Sequence, residues 1–526
     1  MFRAVAALPA AAVLVVPVLV VALLLVTALA GCTVGPSTRP PVAVRGADQP
    51  AAPPSGPPAP GEPAPLQPQN PTLRFADCAA TGDPAVAAVP PSLRVECAEL
   101  PVPVDLAQPQ LGGFLLGVVR VGPAGAPLDR PPLLALGDST AGGSVAHALD
   151  LAARLSPAVL DRFTVIGVDR RGTGADLLDC APAEDRAALV DADPAATGDV
   201  ELAALLERAR SVVQSCTLTP PGVPTAYGSA AAASDVEQLR VRLGVPQLSA
   251  VGTGDGAAVL AAWAGSAPGA VGRLVLDGPP PPGASEPATT TERAAAAGAA
   301  LTAFAAACTA PACPLGADPR ATLTAAVDAL RARPLASPDG RRLTAGSAQL
   351  ALLLGLSEPR GWAALATGFA AVAAGDPVPL LDLLDPVSGA RGTFDAALAT
   401  SCNDAPARLS PPEVSALAAE LRTAQPLVGD RLALGLLACA PWPAVGAPDP
   451  GAGEGLPPLL VIGTAADPRS SLDGARRAAA ELPSAAFLEW QGAGTGAYPR
   501  SPCVVRLTDA LLLDGTVPSS SGICPP

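Results

Sequence analysis

The chain has 526 residues, 49% of them hydrophobic, enough to bury a large core and to hold one big domain with an insertion. With 33 basic against 47 acidic residues the net charge is -14, which excludes the basic footprint that a nucleic-acid partner needs. Of 11 cysteines, Cys308 and Cys313 have no partner histidines, and the chain has a single histidine, so neither a metal nor any other cofactor is expected.

After Arg3 an apolar stretch runs to Ala30, long enough on length alone to span a bilayer. It ends in Leu29-Ala30-Gly31-Cys32, which resembles the lipobox of bacterial lipoproteins. The resemblance implies a signal peptide over 1–31 and a lipidated Cys32 that holds the protein to the outer face of the cell membrane. An uncleaved anchor helix is the alternative, and in either case the body lies outside the membrane. Setting Cys32 aside leaves ten cysteines, an even number suited to pairing in an oxidising compartment. Residues 32–72 are Pro, Ala, Gly and Ser with almost no bulky apolar side chain, a composition that makes a tether rather than a core.

The fold is expected to begin near Phe75, with a first core segment over 73–285. Val102 to Leu106 and Phe114 to Val121 read as the first strands. Short apolar runs then alternate with helical patterns: Pro132 to Leu136, Phe163 to Val168, Leu248 to Val251 and Arg273 to Leu276. Continuous hydrophobic strands separated by helices predict a parallel sheet covered on both faces. Ser234 and Glu237 have the spacing of a capping box, with Gly244 closing that helix. Between a strand and an alanine-rich helix lies Gly252-Thr-Gly-Asp-Gly256, the sharp turn that presents a nucleophile in α/β-hydrolases. The pattern calls for serine at 254, and Gly254 stands there. Four prolines, Pro279 to Pro282, break the alternation, and 286–438 is mostly helical, as an inserted cap would be. Strand patterns resume at Pro458 to Gly463 and Ala486 to Trp490, so 439–526 completes the sheet.

Seven motifs in order resemble the secreted tripeptidyl-aminopeptidase-like α/β-hydrolases of actinobacteria. They are Leu93 to Cys97, Val168-Asp-Arg-Arg-Gly-Thr-Gly174, the glycine turn, Gly272 to Gly278, Cys439-Ala-Pro-Trp-Pro443, Ala466-Asp-Pro468 and Cys503 to Cys524. The similarity covers nearly everything after the tether. It implies an α/β-hydrolase fold with a helical cap, a Ser, Asp, His triad in that chain order, and a cleft between cap and sheet. In that family the nucleophile precedes the proline after the next helix by fourteen positions, which ends at Pro268 and keeps Gly254 in the nucleophile's place. The triad acid corresponds to Asp467. The histidine of a Gly-His-Gly turn corresponds to Thr495, between Gly494 and Gly496. The resemblance also implies disulfides pairing Cys78 with Cys97, Cys180 with Cys216, Cys308 with Cys313, Cys402 with Cys439 and Cys503 with Cys524.

The oxyanion donors implied are the N–H of Asp255 and the loop holding Gly137 and Asp138. Two carboxylates there oppose the stabilisation of a developing negative charge, and Asp255 as an ordinary acid of a helix N-terminus is the simpler reading. Gly137-Asp-Ser139 resembles the Gly-Asp-Ser type of serine-hydrolase signature, yet no histidine is placed to activate Ser139. Asp255 as a carboxylate nucleophile lacks a base as well. His147 falls in a predicted helix far upstream and reads as a helix-surface residue. Asp138, Asp255 and Asp467 together could hold a cation or an amine in the crevice at the strand ends. The expected function is therefore a lipid-anchored hydrolase-fold protein without a working triad that binds peptides or envelope components. A hydrolase using non-standard residues and a structural envelope protein are the other readings. The oligomeric state stays open.

Overall fold

The structure, a computed structural model, describes residues 65–78, 84–308, 313–389, 392–443, 454–518 and 521–526. The expected signal segment, Cys32 and the tether up to 64 lie outside the described residues. Among those described, no helix is long and apolar enough to cross a membrane.

In chain order the strands are β1 (Ala76–Asp77), β2 (Leu93–Pro103), β3 (Gly113–Pro123), β4 (Pro132–Leu136), β5 (Thr164–Val168), β6 (Leu248–Thr253), β7 (Val271–Asp277), β8 (Leu335–Ala336), β9 (Arg342–Leu343), β10 (Leu459–Ala466), β11 (Ala485–Ala493) and β12 (Gly522–Cys524). Ten of them, among the described residues, form one sheet in the order β1-β2-β3-β5-β4-β6-β7-β10-β11-β12. The β1–β2, β2–β3 and β3–β5 pairs are antiparallel, and every pair from β5–β4 onward is parallel. The strand read at Val102 to Leu106 instead begins at Leu93 and ends at Pro103, because it pairs with β3 along its whole length.

Both faces of the parallel part are apolar. Leu134 and Leu136 of β4 and Leu274 and Leu276 of β7 enter one core, while Leu133, Ala135 and Val275 enter the other. Side chains alternate between faces, so a strand covered on both sides needs an unbroken apolar run. That is why these segments show no hydrophobic alternation in the sequence.

Helix α1 (Ser144–Ala152) covers one face, and α2 (Ser229–Leu243) and α3 (Asp255–Ser266) pack on the other. Helix α2 starts well before the expected cap at Ser234, behind Gly228. Ser234 lies inside it and donates to the Ala230 carbonyl, and Glu237 takes Arg240 and the Trp263 indole N–H, so the expected capping box does not form. Gly244 does end the helix, with φ 68°. From α4 (Glu286–Ala307) to Cys439 the described chain is helical apart from the β8–β9 hairpin, with a separate core that includes Phe304, Leu323, Leu352 and Phe369. The five disulfides implied by the resemblance are all present.

Candidate active site

Strand β6 hands over to α3 through Gly254, whose φ of 61° and ψ of -127° lie in the left-handed half of the map where only glycine is free of strain. The Gly254 N–H donates to the Asp277 carbonyl at 2.9 Å. Gly256, two residues on, is forced by close approach instead: a Cβ there would lie 2.5 Å from the Leu136 carbonyl oxygen of the neighbouring strand. The sharp turn expected from the sequence is thus present, with glycine at 254.

The space that a serine would use is filled. Asp138 follows β4, and its carboxylate accepts the Asp255 N–H at 3.3 Å, the donor implied for the oxyanion. It also accepts the Thr140 N–H at 3.0 Å, the Thr140 hydroxyl, and Arg469 Nη1 at 2.6 Å. A Cβ built on Gly254 would stand 3.0 Å from both Cβ and Cγ of Asp138 and closer still to its Oδ2. An internal carboxylate therefore sits on the N–H that the resemblance assigns to the oxyanion.

Asp255 belongs to the same network rather than simply capping its own helix. Its carboxylate takes the Ser139 N–H at 2.8 Å, the Ser139 hydroxyl, and Arg170 Nη1 at 2.7 Å. Burial raises the Asp255 pKa, and Asp138 nearby adds to the rise against the pull of Arg170. For Asp138, burial also acts upward, but Arg469, Thr140 and the Asp255 N–H outweigh it and hold the carboxyl below its usual range. Ser139 is buried behind this network, with its hydroxyl committed to Asp255.

The positions that the resemblance assigns to the triad acid and histidine bond to each other. Thr495 donates its hydroxyl to Asp467 Oδ1 at 2.6 Å. The Arg469 N–H adds a second bond at 2.9 Å, while Asp467 Oδ2 is buried without a partner. Burial is the main reason that Asp467 rises to about 6. Asp277, at the end of β7, takes the Tyr498 N–H at 2.8 Å, leaves Oδ1 unpartnered, and rises to about 7 through burial with help from Asp467.

His147 is not the surface residue that its helix suggested. It is half-buried, its ring lies against Gly137, and its Nε2 is enclosed without a partner. Burial pushes it down to about 4, so it is neutral near pH 7. Nor do the three aspartates assemble into one ligand set. Asp138 and Asp255 line the cavity but are committed to arginines, and Asp467 lies beneath. No group of three or more His, Cys, Asp or Glu among the described residues could hold a metal ion. The roles of Arg170, Arg469 and Asp277 escape sequence reading. Arg170 stands inside the Val168 to Gly174 motif and Arg469 two residues after Asp467, yet nothing in their spacing says what they grip.

The buried acids make stability depend on pH. Asp277 and Asp467 keep their protons in the fold up to about 7 and about 6, whereas unfolded they lose them near 3.8. The folded state then binds more protons across that interval, so their contribution falls as pH rises through it. His147 works the other way: its folded pKa of about 4 lies below 6.5, so its contribution is lost as pH falls through that window. We expect Asp277→Asn with Asp467→Asn to abolish the loss of melting temperature between about pH 5 and 7.5 that these acids cause. A double variant with the wild-type slope in a pH series of thermal melts would show that the two carboxyls titrate normally.

Between sheet and cap lies a cavity of about 650 Å³. Asp138, Gly254 and Asp255 form part of its floor, with Pro279 to Pro282 and the first turns of α4 around them. A parallel sheet with a glycine elbow after β6, an acid after β10 and a helical cap over the strand ends defines an α/β-hydrolase.

Comparison with known proteins makes this more specific. The family model for "TAP-like protein" matches residues 425–524. Carboxylesterase B of Mycobacterium tuberculosis is 30% identical over 469 residues, covering 82% of this chain and 86% of that protein. Serine protease Hip1 of the same organism is 26% identical over 456 residues, covering 81% and 87%. The esterase RhEst1 from Rhodococcus sp. ECU1013 aligns with 80% of this chain and 98% of its own at 15% identity, with a TM-score of 0.36. The chain belongs to the TAP-like α/β-hydrolase family.

Proposed function

We propose that this TAP-like α/β-hydrolase has become a binding protein: its cleft takes peptides or cell-envelope components without cleaving them, and lipidated Cys32 holds it to the outer face of the cell membrane. The observation that carries the reading is the Asp138 carboxylate bonded to the Asp255 N–H beside Gly254. Loss of a serine alone leaves the residual catalysis of an oxyanion hole. Here an anion already sits on the donor, and Thr495 cannot relay a proton as imidazole does.

The names of the relatives favour a second reading, hydrolysis by other residues. Fluorophosphonate labelling of the purified ectodomain, with a panel of aminoacyl and ester substrates, separates the two. The expected result is no labelled serine and no turnover above buffer. A labelled serine whose mutation abolishes turnover would establish the second reading. Retention of the protein in the membrane fraction should in turn be lost on Cys32→Ala.

A further inference from the structure

Among the charged groups of the cavity Asp138, Asp255, Asp404 and Arg469 have partners, whereas Glu286 and Arg293 on α4 have none among the described residues. Asp138 is paired with Arg469, Asp255 with Arg170 at 2.7 Å, and Asp404 takes the Ser229 N–H at 2.9 Å and hydroxyl at 2.6 Å. Glu286, Thr289 and Arg293 share one face of α4 and line the cavity. Arg293 makes no hydrogen bond or ion pair with any described residue; only longer-range fields from Arg469, Asp138, Asp467 and Glu286 reach it. Its guanidinium remains reachable from the cavity, although protein crowds it enough for burial to push its pKa down. Glu286 is likewise unpaired, feeling Arg408 and Arg293 only at a distance. Seven residues of helix place it about 10 Å along the axis from Arg293. Glu481, also exposed, stands at the cavity's edge.

An arginine cannot shed its charge, and leaving one half-desolvated without a partner costs stability. Its planar fork suits the two oxygens of a carboxylate. Beside it Arg469 uses Nε on Ser357 at 2.9 Å and Nη1 on Asp138, leaving Nη2 without a bond to any described residue. Around these donors the wall is apolar: Leu276, Ala258, Ala261, Pro406, Leu482 and the proline run. We propose that Arg293 is the anchor of a ligand site for organic carboxylates with an apolar body, the carboxylate seated on its guanidinium and the body along the proline wall. This rests on the reading that the cleft binds rather than cleaves, and specifies what it binds.

The test uses octanoate and 3-phenylpropanoate, carboxylates that have no bond for a hydrolase to cleave, each against its primary amide, by calorimetry on the purified full chain. Both carboxylates should bind saturably with Kd below about 10 mM, and the amides at least about tenfold more weakly, as a charge-assisted hydrogen-bond pair is lost. Arg293→Gln should cancel that preference and Arg293→Lys restore part of it. Because Arg293 has no partner, ligand-free Arg293→Gln should melt no lower than wild type. Failure of both carboxylates to saturate, equal binding of the amides, an unchanged preference in Arg293→Gln, or a lower melting temperature would each overturn the proposal. None of these outcomes touches the non-hydrolytic reading, which fails only through fluorophosphonate labelling with turnover.

Discussion

Placing serine and histidine at the two positions that the family resemblance assigns to them, Gly254→Ser with Thr495→His, should give a protein that does not react with fluorophosphonate, whereas adding Asp138→Gly should make it react. The reason lies in the space beside the elbow. A serine at 254 must adopt a φ near 61°, at a cost of about 1–3 kcal/mol for a non-glycine residue. Its Cβ also meets Asp138, which cannot swing aside without releasing Arg469 and the Asp255 N–H. The double variant should therefore melt below wild type, with its hydroxyl facing a carboxylate rather than an oxyanion hole. Removing the Asp138 side chain clears the clash and frees the donor in one step. One such donor is worth about 10²–10³ in rate, so the triple variant should label at least about 10²-fold faster than the double. Equal labelling of double and triple variants would mean that Asp138 does not block the site. Asp138→Gly alone is the control and should stay unlabelled.

What the sequence disclosed here and what it hid have different physical origins. Strand runs, the glycine elbow and the vacancy at 254 are local properties of the chain, and the β4, β6, β7 and β10 runs announced a sheet covered on both faces. Asp138 could be flagged from sequence as a carboxylate out of place beside an oxyanion. Its embrace by Arg469 could not, because the partners are 331 residues apart and meet only when the parallel strands close. The capping box at Ser234 failed for a related reason. Its spacing is right, but the helix gains an earlier turn whose Ser229 bonds Asp404 from the cap, a tertiary contact that overrides local preference. His147 was misplaced because a single polar residue on a helix gives no sign of which face the sheet will cover. The candidate site was thus legible as absences, while the interactions that fill them were not.

The Val168 to Gly174 motif supplies the second large effect, on stability. Arg171→Met is expected to destabilise the protein by about 3–5 kcal/mol, the cost of breaking a buried ion pair from one side. Arg171 is buried and forms a two-point pair with Asp235 of α2, Nε at 2.7 Å and Nη2 at 2.8 Å. Its other protons go to backbone carbonyls of Val104 at 2.7 Å, Ala226 at 3.2 Å and Pro103 at 2.9 Å, and its guanidinium lies 5.1 Å from the centre of the Phe114 ring. One side chain thereby ties the end of β2 to α2 and to the segment before it. Methionine fills much of the volume but offers no donor, so Asp235 and three carbonyls lose their partner together. Burial already raises the Asp235 pKa against the pull of Arg171, and without that pull it should rise further. Protonation of the stranded carboxyl offsets part of the cost, so the stability lost in Arg171→Met should shrink as pH is lowered. Asp235→Asn combined with Arg171→Met should then be less destabilised than the two single variants added together, since the pair is removed with neither charge stranded. Chemical denaturation of the four proteins checks both statements. Additive losses would show that Arg171 and Asp235 contribute independently.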